Sequence, residues 1–331
     1  MHTDARMRAL VIAGLLYAAC AKPGPGERIG TWAPFPGRGA LDGADLFTPT
    51  GSQIVRLPLD GGSPEVLAST PCPMLSLALT PDEVIYGDCG TDHNDGSVLA
   101  VPRQGGAVRT LATSQGRPDS VQSDGVNVYW STTEFPSTGP ASGSLRMAPL
   151  TGGNVVTLFS GQSARYHRVG AQAERIYFAQ VSIAEYFGGS PVPNFIGALA
   201  GDGTVTKIAD GRAVECCLTK VQGNLVWAVD GSPAEFRRTD LASGESARIR
   251  GVEGSMFWMA VDERGGFTSS SGCQVNSKEP DASPIDCWTW IRDLETGTGV
   301  AYADVSGGGV AMDDRYVYWS ASGRGLYRVR R

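Results

Sequence analysis

The chain has 331 residues, a formal net charge of −6 and 41% hydrophobic residues. That is ample for a buried core. An acidic balance without clustered lysines or arginines excludes a nucleic-acid footprint and a polybasic membrane patch.

Arg6 and Arg8 precede an apolar run from Ala9 to Ala19. The run is too short to span a bilayer and ends in small residues, the layout of a cleaved export signal. Cys20 follows directly. The stretch Leu15-Leu16-Tyr17-Ala18-Ala19-Cys20 resembles the lipobox of bacterial lipoproteins, departing from it at Tyr17, where that family usually has an aliphatic residue. The resemblance implies that Cys20 is acylated and becomes the mature N-terminus. The expected organisation is a signal peptide over 1–19, a lipid anchor with a Gly/Pro-rich tether over 20–27, and a folded domain over 28–331. The expected location is the bacterial cell envelope, at the outer membrane and facing the periplasm or the cell surface. Membrane contact would be through the anchor only.

Past the tether, one pattern repeats. DGADLFT is followed by SQIVRLPLDGG, DEVIYGD by GSVLAVPRQGG, DGVNVYWS by GSLRMAPLTGG, and DDRYVYWS by GLYRVRR. Looser copies begin at ERIYFAQ, GNLVWAV and RGGFTSS. The anchors are Phe47, Tyr86, Tyr129, Tyr177, Val226, Phe267 and Tyr318, roughly forty to fifty residues apart. Each copy holds short runs of β-formers separated by Gly, Asp, Pro and Ser. Four strands per repeat of this length predict an all-β chain, a seven-bladed β-propeller of four-stranded antiparallel blades. In the third copy the strands are expected at 120–122, 126–131, 144–149 and 154–159. The first copy should open with a strand at 38–41. The last copy stops after its third strand, so Ile29 to Ala33 is expected to pair with Leu326 to Val329 and close the ring.

Tyr129-Trp130-Ser131-Thr132 and Tyr318-Trp319-Ser320-Ala321 resemble YWTD-type repeats of the TolB-like propeller superfamily. The Asp of that motif is missing here, and that family usually has six blades. The resemblance implies a propeller that binds proteins, peptides or glycans, and it carries over no catalytic residue.

The aromatics on the second strand of each copy are expected to pack between blades. Asp42, Asp124, Asp262 and Asp313 share one repeat position after the first strand, where an Asp side chain stabilises a turn. Asp92-His93-Asn94-Asp95-Gly96 has the look of a calcium-loop fragment. Its acids are out of register and no Glu follows, so it reads as a polar hairpin tip. Gly161-Gln162-Ser163-Ala164-Arg165 lacks the second Gly of a nucleophile elbow. No dinucleotide or metalloprotease pattern is present. No cofactor or metal is expected, since His93 and His167 are the only histidines beyond the export segment.

Setting Cys20 aside from the seven cysteines leaves six, an even number that suggests disulfides in an exported chain. Cys72 and Cys89 should meet on the loop-rich face, and Cys273 and Cys287 flank one long loop. Cys216 and Cys217 then remain as an adjacent, strained pair. Variable loop lengths on one face mark it as the candidate binding face, with Asp92, His93, Asp95, Tyr166, His167, Glu215 and Asp230 as its named residues. The main expectation is a non-enzymatic envelope lipoprotein, a binding or scaffold propeller for a protein, peptide or glycan partner. The alternative is a propeller hydrolase or lyase with an acidic site at the channel mouth.

Overall fold

The computed structural model describes residues 26–31, 39–71, 76–91, 95–136, 138–162, 164–172, 175–184, 189–200, 202–229, 234–252, 256–274, 286–303, 307–321 and 325–331. Cys20, Cys72, Asp92, His93 and Asp230 lie outside them. Seven four-stranded antiparallel sheets make up the fold. In six blades the strands A, B, C and D follow one another in sequence and in space, and in the seventh strand D comes from the start of the folded chain. Blade 3 is typical, with Arg117–Ser123, Asn127–Glu134, Ser142–Pro149 and Val156–Gln162. Its B and C strands run further than the sequence pattern suggests, because Glu134 still pairs with Ser142 beyond the aromatic core. Blade 1 opens at Ala40–Asp42, later than the expected 38–41.

The repeated aromatic pair explains how the blades stack. Neighbouring residues on a strand face opposite sides of the sheet. Trp130 therefore packs toward blade 2, with Ile85 and Val98. Tyr129 packs toward blade 4, beside Tyr166 and Phe178. Tyr318 and Trp319 divide in the same way between blades 1 and 6. Seven core clusters result, one at each blade boundary, and the cluster of Leu46, Leu57, Tyr318 and Leu326 joins the last blade to the first.

The ring closes through Glu27–Gly30, which supplies strand D of blade 7 by pairing with Gly325–Arg330. The expected closing segment, Ile29 to Ala33, overlaps this strand at Ile29 and Gly30, the strand begins two residues earlier, and residues 32–33 lie outside the described ones. Glu27 sits opposite Arg328, and its carboxylate accepts a hydrogen bond from the Arg328 Nε at 2.8 Å.

The repeated Asp performs the turn role read from the sequence. The Oδ1 of Asp124 accepts from the backbone N–H of Val126 at 2.8 Å and of Asn127 at 2.7 Å. Asp313 does the same for Arg315 and Tyr316, both at 2.7 Å.

Candidate channel-mouth site

The A strands of successive blades contact one another around the ring, whereas D strands form the outer edges, so the A strands line the central axis. Because each blade is a simple antiparallel meander, B–C loops and D–A connections share one face. A–B and C–D turns share the other.

The A strands are irregular at one level near the loop face. In blade 3 the register passes from Asp119 opposite Ser131 to Gln122 opposite Tyr129, leaving one extra residue on strand A. Blade 4 repeats this between His167, opposite Ala179, and Gly170, opposite Tyr177. Blade 7 repeats it between Gly308, opposite Ser320, and Val310, opposite Trp319. The bulge residue has positive φ at Ser120 (48°) and at Gly309 (73°). For a serine this backbone costs energy, and bulges of this kind re-aim side chains next to functional sites. In blade 5 the irregularity is larger. Val214, Glu215, Cys216 and Cys217 lie between Ala213, opposite Val229, and Leu218, opposite Trp227.

Each register partner named above, Ser131, Ala179 and Ser320, stands two residues past its repeat anchor. Asp119, His167 and Gly308 therefore occupy one repeat position on three inner strands, and the Glu215-Cys216-Cys217 stretch fills that level in blade 5. An acid, a histidine, an arginine (Arg168) and a second acid thus share one level of the channel. At His167, Arg168, Glu215 and Cys216 the backbone alone is described.

The blade 3 wall is well defined. Asp119 is buried, and its Oδ1 accepts from the Ser120 N–H at 2.9 Å. The Ser131 hydroxyl donates to the Asp119 carbonyl at 3.2 Å. Further out, Arg146 is held by three oxygens. Its Nε donates to Ser144 Oγ at 2.9 Å, Nη1 donates to Gln115 Oε1 at 3.1 Å, and Nη2 pairs with Glu134.

Several of the named candidates find other places. Tyr166 is fully buried among Phe159, Phe178 and Leu145, so it belongs to the core and not to a binding face. Its hydroxyl has no hydrogen-bond partner, and burial raises its pKa. Asp95 is occupied within its own loop, accepting from Thr91 N–H at 2.9 Å and Thr91 Oγ1 at 3.1 Å. Cys89 and Cys217 are disulfide-bonded. No bridge joins two described side chains. Cys273 lies directly opposite Cys287 across strands B and C of blade 6.

Sequence reading missed Asp119, Ser120 and Arg168. The signal that could have found them is positional: they stand on the strand ahead of each anchor, opposite the residue two past it. A cavity of about 230 Å³ also opens on the opposite face between blades 5 and 6. Arg238 and Asp262 of its wall are held in the Arg238–Glu295 and Arg331–Asp262 pairs.

No family model and no curated protein matches the chain. Solved structures do. An oligogalacturonate lyase from Vibrio parahaemolyticus superposes with a TM-score of 0.65 at 9% identity, over 93% of this chain and 95% of that one. A second oligogalacturonate lyase, in complex with manganese, has a TM-score of 0.61 at 13% identity, over 90% of this chain and 88% of its own. TolB from Acinetobacter baumannii has a TM-score of 0.52 at 16% identity, over 77% and 60%.

At these identities the likeness is one of fold. It places the chain beside TolB-like propellers with seven blades of its own. Two of the chains that match nearly end to end are named as lyases, which stands against the main expectation of a non-enzymatic scaffold and toward its alternative, while a computationally designed protein matches over as much of its length. Among the described residues no group of three or more His, Cys, Asp or Glu could hold a metal ion. The described residues offer no donor set for manganese.

Proposed function

We propose that the chain is a glycan-cleaving propeller enzyme, a lyase or hydrolase whose site is the channel mouth of blades 3 to 5. The observation that carries this reading is the near end-to-end superposition on oligogalacturonate lyases. The inner-strand residues supply chemistry that suits it. Elimination from a uronate needs a base for the proton next to the carboxyl group and a cation for the charge that builds there. His167 takes the first role and Arg168 the second. A carboxylate–guanidinium pair suits the planar geometry of a uronate. Asp119 and Glu215 supply acids for proton return, or for an acid–base pair in hydrolysis.

The test is direct. Purified protein should release unsaturated uronate, seen by ultraviolet absorbance, or new reducing ends from oligogalacturonate. His167→Ala should lower kcat/KM by at least about a hundredfold. A wild type inert on a panel of acidic and neutral glycans would remove the reading.

Export belongs to the same proposal. An N-terminus acylated at Cys20 holds the propeller at the cell envelope, and mass spectrometry should find a lipidated Cys20. The disulfides are Cys72–Cys89, Cys273–Cys287 and Cys216–Cys217. The cross-strand placement of Cys273 and Cys287 and the bonded state of Cys89 and Cys217 support them. Non-reducing peptide mapping that links any of these cysteines differently would overturn the assignment.

A further inference from the structure

On the face of the A–B and C–D turns, two blade boundaries are filled in one way. Between blades 1 and 2 the turn residue Asp42, the anchor Phe47 five residues later and Arg103 of blade 2 come together, the guanidinium pairing with Asp42 over the ring. Between blades 6 and 7 Asp262, Phe267 and Arg331 repeat the arrangement. Arg103 and Arg331 are each the first residue past strand C, and their backbone N–H groups donate to the start of strand B, at Asp82 and Arg315. Between blades 5 and 6 the corresponding residues are Val221, Val226 and Leu294, and the Leu294 N–H donates to Gly266. Carboxylate, ring and guanidinium are all replaced by aliphatic side chains, and those at 226 and 294 are much smaller than what they replace.

All three residues line the cavity of about 230 Å³ described above. Val226 and Leu294 are buried, and Val221 and Val261 are partly exposed, so the aliphatic lining runs from floor to opening. The rim is polar. Gln222, Asn224 and Glu263 stand there, and among the described residues their side chains have no hydrogen-bonding or ionic partner. Arg238 of the wall is matched by Glu295, and Asp262 by Arg331, which leaves Glu263 as the wall charge without a counter-ion.

We propose that this cleft is a binding site for an alkylguanidinium group, supplied from outside the chain where blades 2 and 7 supply their own arginine. The aliphatic lining takes the methylene stem, as long charged side chains lay their stems on apolar surface. The Glu263 carboxylate accepts from the planar guanidinium fork, and the amide oxygens of Gln222 and Asn224 take remaining N–H groups. The site lies on the face opposite the channel mouth, so it goes beyond the glycan-cleaving reading and does not depend on it. A free guanidino compound and an exposed arginine of a peptide share this chemistry.

Ligand-observed NMR titration of the full chain with butylguanidine, butylamine and a blocked glycine–arginine–glycine peptide tests it. Butylguanidine should bind with a Kd on the order of 1 mM. Butylamine should bind up to about fivefold more weakly, because a point charge cannot use the fork. Tighter binding of the peptide than of butylguanidine marks an arginine of a partner as the source, and the reverse marks a free small molecule. Glu263→Gln removes the counter-ion and should weaken butylguanidine roughly threefold to fivefold. Gln222→Arg places a guanidinium of the chain's own at the rim and should weaken it at least about tenfold. Both positions are exposed, and thermal unfolding checks that the variants keep the fold. A wild type that binds no butylguanidine at concentrations well above the expected Kd overturns the site. Folded Glu263→Gln and Gln222→Arg that bind it like wild type overturn it too. Neither outcome touches the glycan reading, which is measured by cleavage at the other face.

Discussion

One repeat position is solved in two ways, and the anchor residue decides which. In the two blades that have both the turn Asp and a tyrosine anchor, the hydroxyl donates to that Asp: Tyr129 to Asp124 at 2.8 Å and Tyr318 to Asp313 at 2.6 Å. Where the anchor is phenylalanine there is no hydroxyl, and an arginine from the following blade takes its place. Arg103 pairs with Asp42 and lies over the Phe47 ring at 5.6 Å. Arg331 pairs with Asp262 and lies over Phe267 at 6.0 Å. Tyr318→Phe should therefore cost roughly 1–2 kcal/mol in urea unfolding, the range for a hydrogen bond to a charged group that is partly exposed. Arg103→Ala should destabilise, and adding Phe47→Tyr should recover part of the loss by restoring the tyrosine solution. Absence of any recovery would show that the two arrangements are not equivalent. Burial pushes the Asp313 carboxyl up, but the Tyr318 hydroxyl and the backbone N–H groups of Arg315 and Tyr316 outweigh it and hold its pKa below the ordinary value. Its contribution is present above the unfolded carboxylate range near pH 4 and is lost as pH falls through the lower folded value. Asp313→Asn should be less stable than wild type at pH 7, and the gap should shrink below about pH 4.

At the scale of the strand, closure depends on a short segment approaching closely. A Cβ built on Gly26 would lie 2.3 Å from the Trp319 ring. Gly26→Val should lower the thermal midpoint by pushing the closing strand off blade 7, and an unchanged midpoint would remove that account. Closure itself was legible in the sequence, because the last copy lacks a fourth strand and a β-like run waits at the other end. Its bounds were not, since pairing sets them: Glu27 meets Arg328 and Gly30 meets Leu326. The strand order and the packing of the aromatic pair were legible for a physical reason, the period of two on a strand. The bulges on the inner strands were not. An extra residue in a strand leaves no mark on composition, and Ser120 has the backbone of a glycine without being one. The site was hidden for the same reason. His167 could be picked out as a rare residue, but Asp119 falls at its repeat position only when blades are aligned through their registers.

For the whole molecule, the distribution of the core matters more than its size. Among the described residues the core is a cluster at each blade boundary, with inner strands around the axis where a globular domain would have its densest packing. Each boundary depends on a few large side chains. Trp130→Ala, at a fully buried site between blades 2 and 3, should cost about 3–5 kcal/mol. Denaturant unfolding measures it, and a cost under about 1 kcal/mol would mean that the boundary collapses around the gap. The same arrangement leaves the mouth free to vary. Asp119 and His167 sit on inner strands, whereas the clusters at the blade boundaries are built mainly from apolar residues, so the mouth can change without redesign of the ring.

The closing strand also has a consequence for folding rate. Arg328 and Glu27 are 301 residues apart in the chain and bonded in the fold. Every other strand pairing is a local hairpin, quick to form, whereas this one cannot begin until nearly all of the polypeptide is available, and contacts of high sequence separation form slowly. An opened ring with six complete blades and one strand short is then the intermediate that accumulates, with an unpaired edge along Gly325–Arg330. Moving the chain ends to the connection between blades 1 and 2 would turn the closing pair into a hairpin and move the break elsewhere. Such a circular permutant should refold faster than the natural order at similar stability, in stopped-flow refolding from urea. Equal rates would mean that ring closure is not the slow step.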